Sequence, residues 1–387
     1  IVDTTATLGT QKQRNHPLNR GCSRLPDPAH TGLMLEVRAE RLRREILEFA
    51  GTGAGVTALH QRAIELVDRT VRSELTCWAL FDPLTLAFGS MTSGRNRIPG
   101  EYEPLLAESE CGGHDPATFA DIARSGRTVV RASDLPSTEL AHSLRHAAVW
   151  RPLGLDREVR VVFTVDGLCW GSAGFVRSGP DFTDRELEFL TMVAPALAAA
   201  TRAAAVHTLR ARPGADPGPA VIVTDPAGEP VASTVAARAW EERLAGPVRL
   251  ALLLRAATFG ARASSTGVFR ARIRNEGGGW IVVRAAPLST DGDESRTAVT
   301  IEPAADSELT EVLFAAYALT ARECEVCTDV LSGLSTAEIA RHRGITPNTV
   351  HDHLKSVYAK TGAGSRAELV ARLAGRQMPR PSLSSPI

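Results

Sequence analysis

The chain has 387 residues, is 43% hydrophobic, and carries 44 basic and 44 acidic residues for a formal net charge of zero. That length holds two or three ordinary domains, and the neutral balance excludes a protein that coats nucleic acid by bulk charge, so any DNA contact must come from a local patch. No run of about 18 apolar residues argues for a membrane-spanning helix, and residues 1–19 lack the apolar block of a signal peptide.

Taken in order, residues 1–32 have no periodicity and are expected to be a tail. Residues 33–50 have helical spacing at Leu35, Leu42, Ile46 and Phe49. A second helix is predicted over 56–74, with Leu59, Ala63, Leu66, Val67 and Val71 on one face. Strands are predicted at 77–81 and 86–91 about an Asp82-Pro83 turn, and at 128–131 within a stretch from 95 to 152 that is otherwise loop and short helix. Residues 159–165 and 168–175 flank Asp166-Gly167, a strong hairpin signal. Thr183 and Glu186 form a capping box opening a helix to about residue 205. After a linker over 206–218, strands are predicted at 220–224, 229–232, 267–274, 280–286 and 297–302, with helices in 234–260. A Pro/Ser-rich tail closes the chain over 376–387.

The sharpest pattern is residues 319–374, LTARECEVCTDVLSGLSTAEIARHRGITPNTVHDHLKSVYAKTGAGSRAELVARLA. Thr320 with Glu323, Ser335 with Glu338, and Ser365 with Glu368 are three capping boxes. Gly344 permits a tight turn, Thr346-Pro347 is a cap followed by proline at the first helical position, and Gly362 is a helix stop. In the third helix Val350, Leu354, Val357 and Thr361 form an inward stripe. The opposite face is centred on Asn348, Asp352, Lys355 and Ala359, flanked by Thr349, His351 and Ser356. Short and polar side chains are what a helix lying in a major groove requires. Lysine occurs only at 12, 355 and 360, so two of the three fall in this helix.

This stretch resembles the LuxR-family DNA-binding domain, placed over 306–375. The resemblance implies base-facing roles for His351, Asp352 and Lys355, backbone roles for Asn348, Thr349 and Lys360, with Ser356 on the flank of the same face, and a dimer surface on Ala367, Val370 and Ala371. The acid at Asp352, Thr361 in place of the usual Leu, and Cys324 and Cys327 depart from the family pattern. Residues 33–205 resemble a GAF sensory domain, and residues 219–303 a degenerate PAS domain.

The expected fold class is multidomain α+β, two α/β sensory domains followed by an all-α helix-turn-helix domain. The expected function is sequence-specific transcription regulation in the cytoplasm. The expected partners are double-stranded DNA, a second copy of the chain, a small-molecule effector and RNA polymerase, with no membrane. No catalytic residue, metal or cofactor is assigned. The six cysteines, at 22, 77, 111, 169, 324 and 327, are too dispersed for a disulfide scaffold and fit reduced thiols. Cys324-x-x-Cys327 lacks a second ligand pair and reads as structural, and Cys111-Gly-Gly-His114, which could hold a metal or tetrapyrrole, reads as an incidental loop pair. Trp150, Trp170 and Trp280 read as core rings rather than pocket walls. The competing readings are a GAF-based thiol enzyme using Cys77, Cys111 or Cys169, and a sigma-factor-like protein.

Overall fold

The computed structural model describes residues 28–209, 217–244, 249–274, 280–289 and 295–373. The linker centre, residues 1–27 of the expected N-terminal tail and the C-terminal tail therefore lie outside the described residues.

The first unit runs α1 (Pro28–Gly51), α2 (Val56–Val67), β1 (Leu75–Phe81), β2 (Phe88–Ser93), α3 (Glu103–Cys111), α4 (Phe119–Ser125), β3 (Val129–Arg131), α5 (Ser137–Ala141), β4 (Arg157–Val165), β5 (Leu168–Arg177) and α6 (Asp184–Leu209). Helix α1 starts inside the segment expected to be a tail. Helix α2 stops at Val67 rather than 74, although Val71 is still buried from the following turn. The antiparallel sheet has strand order β2-β1-β5-β4-β3. Asp166 (φ 51°) and Gly167 (φ 76°) make the tight β4–β5 turn, whose left-handed backbone matches the strand twist.

Strand alternation separates two chemistries in this sheet. Val159, Val161 and Phe163 of β4 join Trp78, Phe175, Leu59 and Phe189 in an apolar core under α1, α2 and α6. By length and composition, residues 184–207 of α6 are apolar enough to cross a membrane. Here Phe189, Leu190, Val193, Ala194 and Leu197 are buried in that core instead. The alternate residues Glu158 and Arg160 face the other way, into a buried ionic cluster. Arg145 donates to Asp115 at 2.6 Å and to Glu158 at 3.0 Å, His146 lies 2.9 Å from Glu158, and Arg160 pairs with Glu110. Burial opposes ionisation of Glu158, but Arg145 and Arg160 outweigh it and hold the carboxyl well below the usual range.

The second unit comprises β6 (Ala220–Thr224), β7 (Pro230–Ser233), α7 (Ala236–Arg243), α8 (Leu250–Ala263), β8 (Phe269–Arg274), β9 (Trp280–Leu288) and β10 (Arg296–Pro303). Its antiparallel sheet has the corresponding order, β7-β6-β10-β9-β8. Ile222, Trp240, Leu254, Ile273, Val283 and Ile301 form its core. The two units touch where α3 packs on α8 and β2 on β8. Ala87, from the β1–β2 turn of the first unit, is buried in the second unit's core.

Five helices follow: α9 (Asp306–Ala316), α10 (Ala321–Leu331), α11 (Thr336–Arg343), α12 (Pro347–Thr361) and α13 (Arg366–Leu373). Helix α9 was not anticipated, although Leu309, Val312, Leu313 and Ala316 stand at i, i+3, i+4 and i+7. It packs between α6 and α13. The molecule is thus a mixed α+β chain with two antiparallel sheets and a helical C-terminal region.

Candidate nucleic-acid interface

The C-terminal helices are positioned by their punctuation. Capping boxes at Thr320–Glu323 and Ser335–Glu338 have both reciprocal hydrogen bonds. The third is half formed: Ser365 accepts from the Glu368 N–H at 3.1 Å, but the Glu368 carboxylate accepts from Gly364 at 2.8 Å and pairs with Arg372. Gly344 (φ 66°) closes α11, and the Ile345 N–H returns to the Ala340 carbonyl at 3.0 Å. Thr346 accepts from the Thr349 N–H at 3.2 Å and opens α12, which Gly362 (φ 67°) ends.

Two buried carboxylates that sequence reasoning did not single out as clamps lock this arrangement. Asp329 of α10 receives Arg343 Nε at 2.6 Å and Nη2 at 2.9 Å, which ties α10 to α11. Glu323 receives the Thr320 N–H at 2.7 Å, Ser356 Oγ at 2.6 Å and Lys360 Nζ at 2.6 Å, which ties α10 to α12. Lys360 also donates to the carbonyl of Ala318 at 3.1 Å. Ala318 has φ 50°, a conformation costing about 1–2 kcal/mol for a residue other than glycine, so the lysine braces a strained link between α9 and α10. Spacing alone finds the Glu323 capping box but not its long-range partners.

Val350, Leu354, Val357 and Thr361 are buried, as their stripe predicts. Thr361 satisfies its hydroxyl on the Val357 carbonyl at 2.8 Å. On the other side Asn348, His351, Asp352, Lys355 and Ala359 are exposed, and Thr349 and His353 half-buried. Among the described residues neither Asp352 nor Lys355 has a hydrogen bond or ion pair. Ser356 and Lys360, expected on the flank and at a phosphate, are turned toward Glu323 instead, because a buried carboxylate needs donors. Of the three residues expected at a dimer surface, Ala367 is exposed, and Val370 and Ala371 are half-buried.

Among the described residues, the thiols considered for nucleophilic chemistry are shifted upward. Burial, reinforced by Glu110, pushes Cys77 and Cys111 up to about 12. Burial also raises Cys169 and takes Cys327 to about 12. A reactive cysteine needs the opposite shift. Trp150, Trp170 and Trp280 are all buried side chains.

Burial raises the Glu323 carboxyl, but the hydrogen bonds from Lys360, Ser356 and Thr320 outweigh it and hold the group at about 2. A depressed carboxylate contributes stability above its unfolded value, near 4.5, and loses it as pH falls toward 2. Glu323→Gln is therefore expected to lower stability by about 2 kcal/mol at neutral pH. Denaturant unfolding at several pH values checks this. The gap between wild type and variant should close below pH 4.5, and a gap of the same size at neutral pH and at pH 3 would refute the assigned role.

Comparison with known proteins bears on this region. Residues 317–373 match the family of bacterial regulatory proteins, luxR family. A monoamine regulon transcriptional regulator from Klebsiella aerogenes is 35% identical over 109 residues, 28% of this chain and 48% of that protein. The transcriptional regulatory protein SgaR of Hyphomicrobium methylovorum is 45% identical over 53 residues, 14% of this chain and 25% of that one. An HTH-type transcriptional regulator of Mycobacterium bovis is 44% identical over 61 residues, 16% and 7% respectively. The chain thus spans less than half the length of each of these relatives. The phycoerythrobilin-bound GAF domain of a cyanobacterial phytochrome covers 43% of this chain, with 95% of its own length, at 14% identity and a TM-score of 0.31.

Proposed function

We propose that this chain, whose residues 317–373 form a luxR-family helix-turn-helix domain, is a sequence-specific DNA-binding transcription regulator. The observation that carries the reading is α12. One face of that helix is buried, and the other presents Asn348, Thr349, His351, Asp352 and Lys355 on a rigid, doubly clamped scaffold. A helix of this kind fits a major groove, with side chains reaching base edges. In this proposal Ser356 and Lys360 are positioning residues that set the pitch of α12 through Glu323.

We further infer that the units over 33–205 and 219–303 act as GAF-like and PAS-like sensors of a small molecule or partner, and that the protein works in the cytoplasm as a homodimer, with RNA polymerase a candidate partner. The near-neutral charge supports the dimer. One domain has few phosphate-neutralising groups to offer, and a second copy doubles them. Ala367, Val370 and Ala371 are small enough to allow close helix approach.

Selection of bound sequences from a pool of random duplex DNA, followed by footprinting with the full chain, tests both levels. The expected result is enrichment of a two-fold-related sequence with both halves protected. A single half-site held by a stable monomer would overturn the dimer, and no enrichment would overturn sequence-specific binding.

A further inference from the structure

Six charged side chains meet where the two sheets and the C-terminal helices come together. Arg272 of β8 is 1% exposed. Its Nη1 and its backbone N–H each donate to Asp82 at 3.1 Å, and the Asp82 side chain is fully buried. Its Nε donates to Glu308 at 3.2 Å and its Nη2 to Glu311. Arg270 and Arg284 also donate to Glu308. Asp82 closes β1 in the first unit, the arginines belong to the second sheet, and both glutamates stand on α9, which leads through Ala318 into α10.

A guanidinium is rigid and planar, with N–H groups on several edges, so it serves partners in different directions at once. It cannot turn toward one without losing the other. Inside the molecule the loss of either partner leaves charge uncompensated. The positions of the β1–β2 turn and of α9 are therefore tied together by one side chain.

We propose that Arg272 is the joint through which a rearrangement of the first unit is imposed on the DNA-binding helices. The proposal rests on the regulatory reading above and supplies its route: the β1–β2 turn, Arg272, α9, then α10.

Hydrogen exchange of the full chain tests it, without DNA or effector, in Asp82→Asn and Glu311→Gln. The Glu311 side chain is 54% exposed, so its replacement leaves the fold in place; exchange in the β4–β5 hairpin is the control. The expected result is crossed: Glu311→Gln accelerates exchange of the amides at 82–87, and Asp82→Asn accelerates those of α9, each by about fivefold or more. Acceleration confined to each variant's own element would overturn the joint. If Asp82→Asn fails to fold, the Glu311→Gln experiment decides alone. A crossed effect in a chain that selects no DNA sequence would support the joint while refuting the DNA-binding reading.

Discussion

Glu158→Ala is expected to destabilise the first unit by about 3–5 kcal/mol, because removing one partner leaves buried charge unpaired. Glu158 is the acid around which Arg145, Arg160 and His146 gather, and Trp150 Nε1 donates to it at 3.3 Å. Without it two buried guanidiniums face each other with only Asp115 and Glu110 to balance them. Glu158→Gln keeps the shape and some hydrogen bonds but not the charge, so it should fall between wild type and alanine. Denaturant midpoints of the three chains measure this. A loss below about 1 kcal/mol for the alanine variant would mean that water enters and solvates the arginines. The acid dependence has a definite sign. The Glu158 carboxyl is depressed, so its contribution is complete above the unfolded value and declines as pH drops through the acid range.

Lys355→Ala is expected to weaken binding to a selected operator by about 1–3 kcal/mol if the lysine reads guanine O6 or N7. That is roughly a 5- to 150-fold loss. If it meets only phosphate, the loss should be uniform across sequences, with a shallower salt dependence. Asp352→Ala should behave oppositely. An acid on this face repels phosphate, and the offsetting role proposed for it is to accept a hydrogen bond from cytosine N4. Non-specific binding should then stay equal or tighten, while discrimination relaxes at one base pair per half-site. Binding to a panel of single-base operator variants separates the outcomes. Full sequence preference in Asp352→Ala would remove the base contact and leave the DNA-binding proposal standing.

The C-terminal region was the most legible part of the sequence because its signals are local. Caps, glycine stops and a 3.6-residue stripe act over four to seven residues, and two of the three capping boxes form both reciprocal hydrogen bonds. The third differs because Arg372, one turn along α13, and the Gly364 N–H offer Glu368 other partners. Helix α9 was equally readable by period, but it carries neither a Ser, Thr, Asn or Asp N-cap nor a glycine stop: its N-cap is Ala305 and its C-cap Tyr317. The β4–β5 hairpin was legible for the same local reason as the helices, its Asp-Gly turn.

The amino-acid sequence by itself determined the strands of both sheets, the start and stop of α10 to α12, and which face of α12 is buried, because backbone propensity and apolar period are properties of neighbours along the chain. Only the tertiary structure decided the charge partners. Lys360 lies 37 residues from Glu323, Arg145 lies 30 from Asp115, and Arg272 lies 190 from Asp82. Pairing at such separations is set by which surfaces the cores bring together. Once those surfaces have left water, each buried charge must take the opposite charge it finds there.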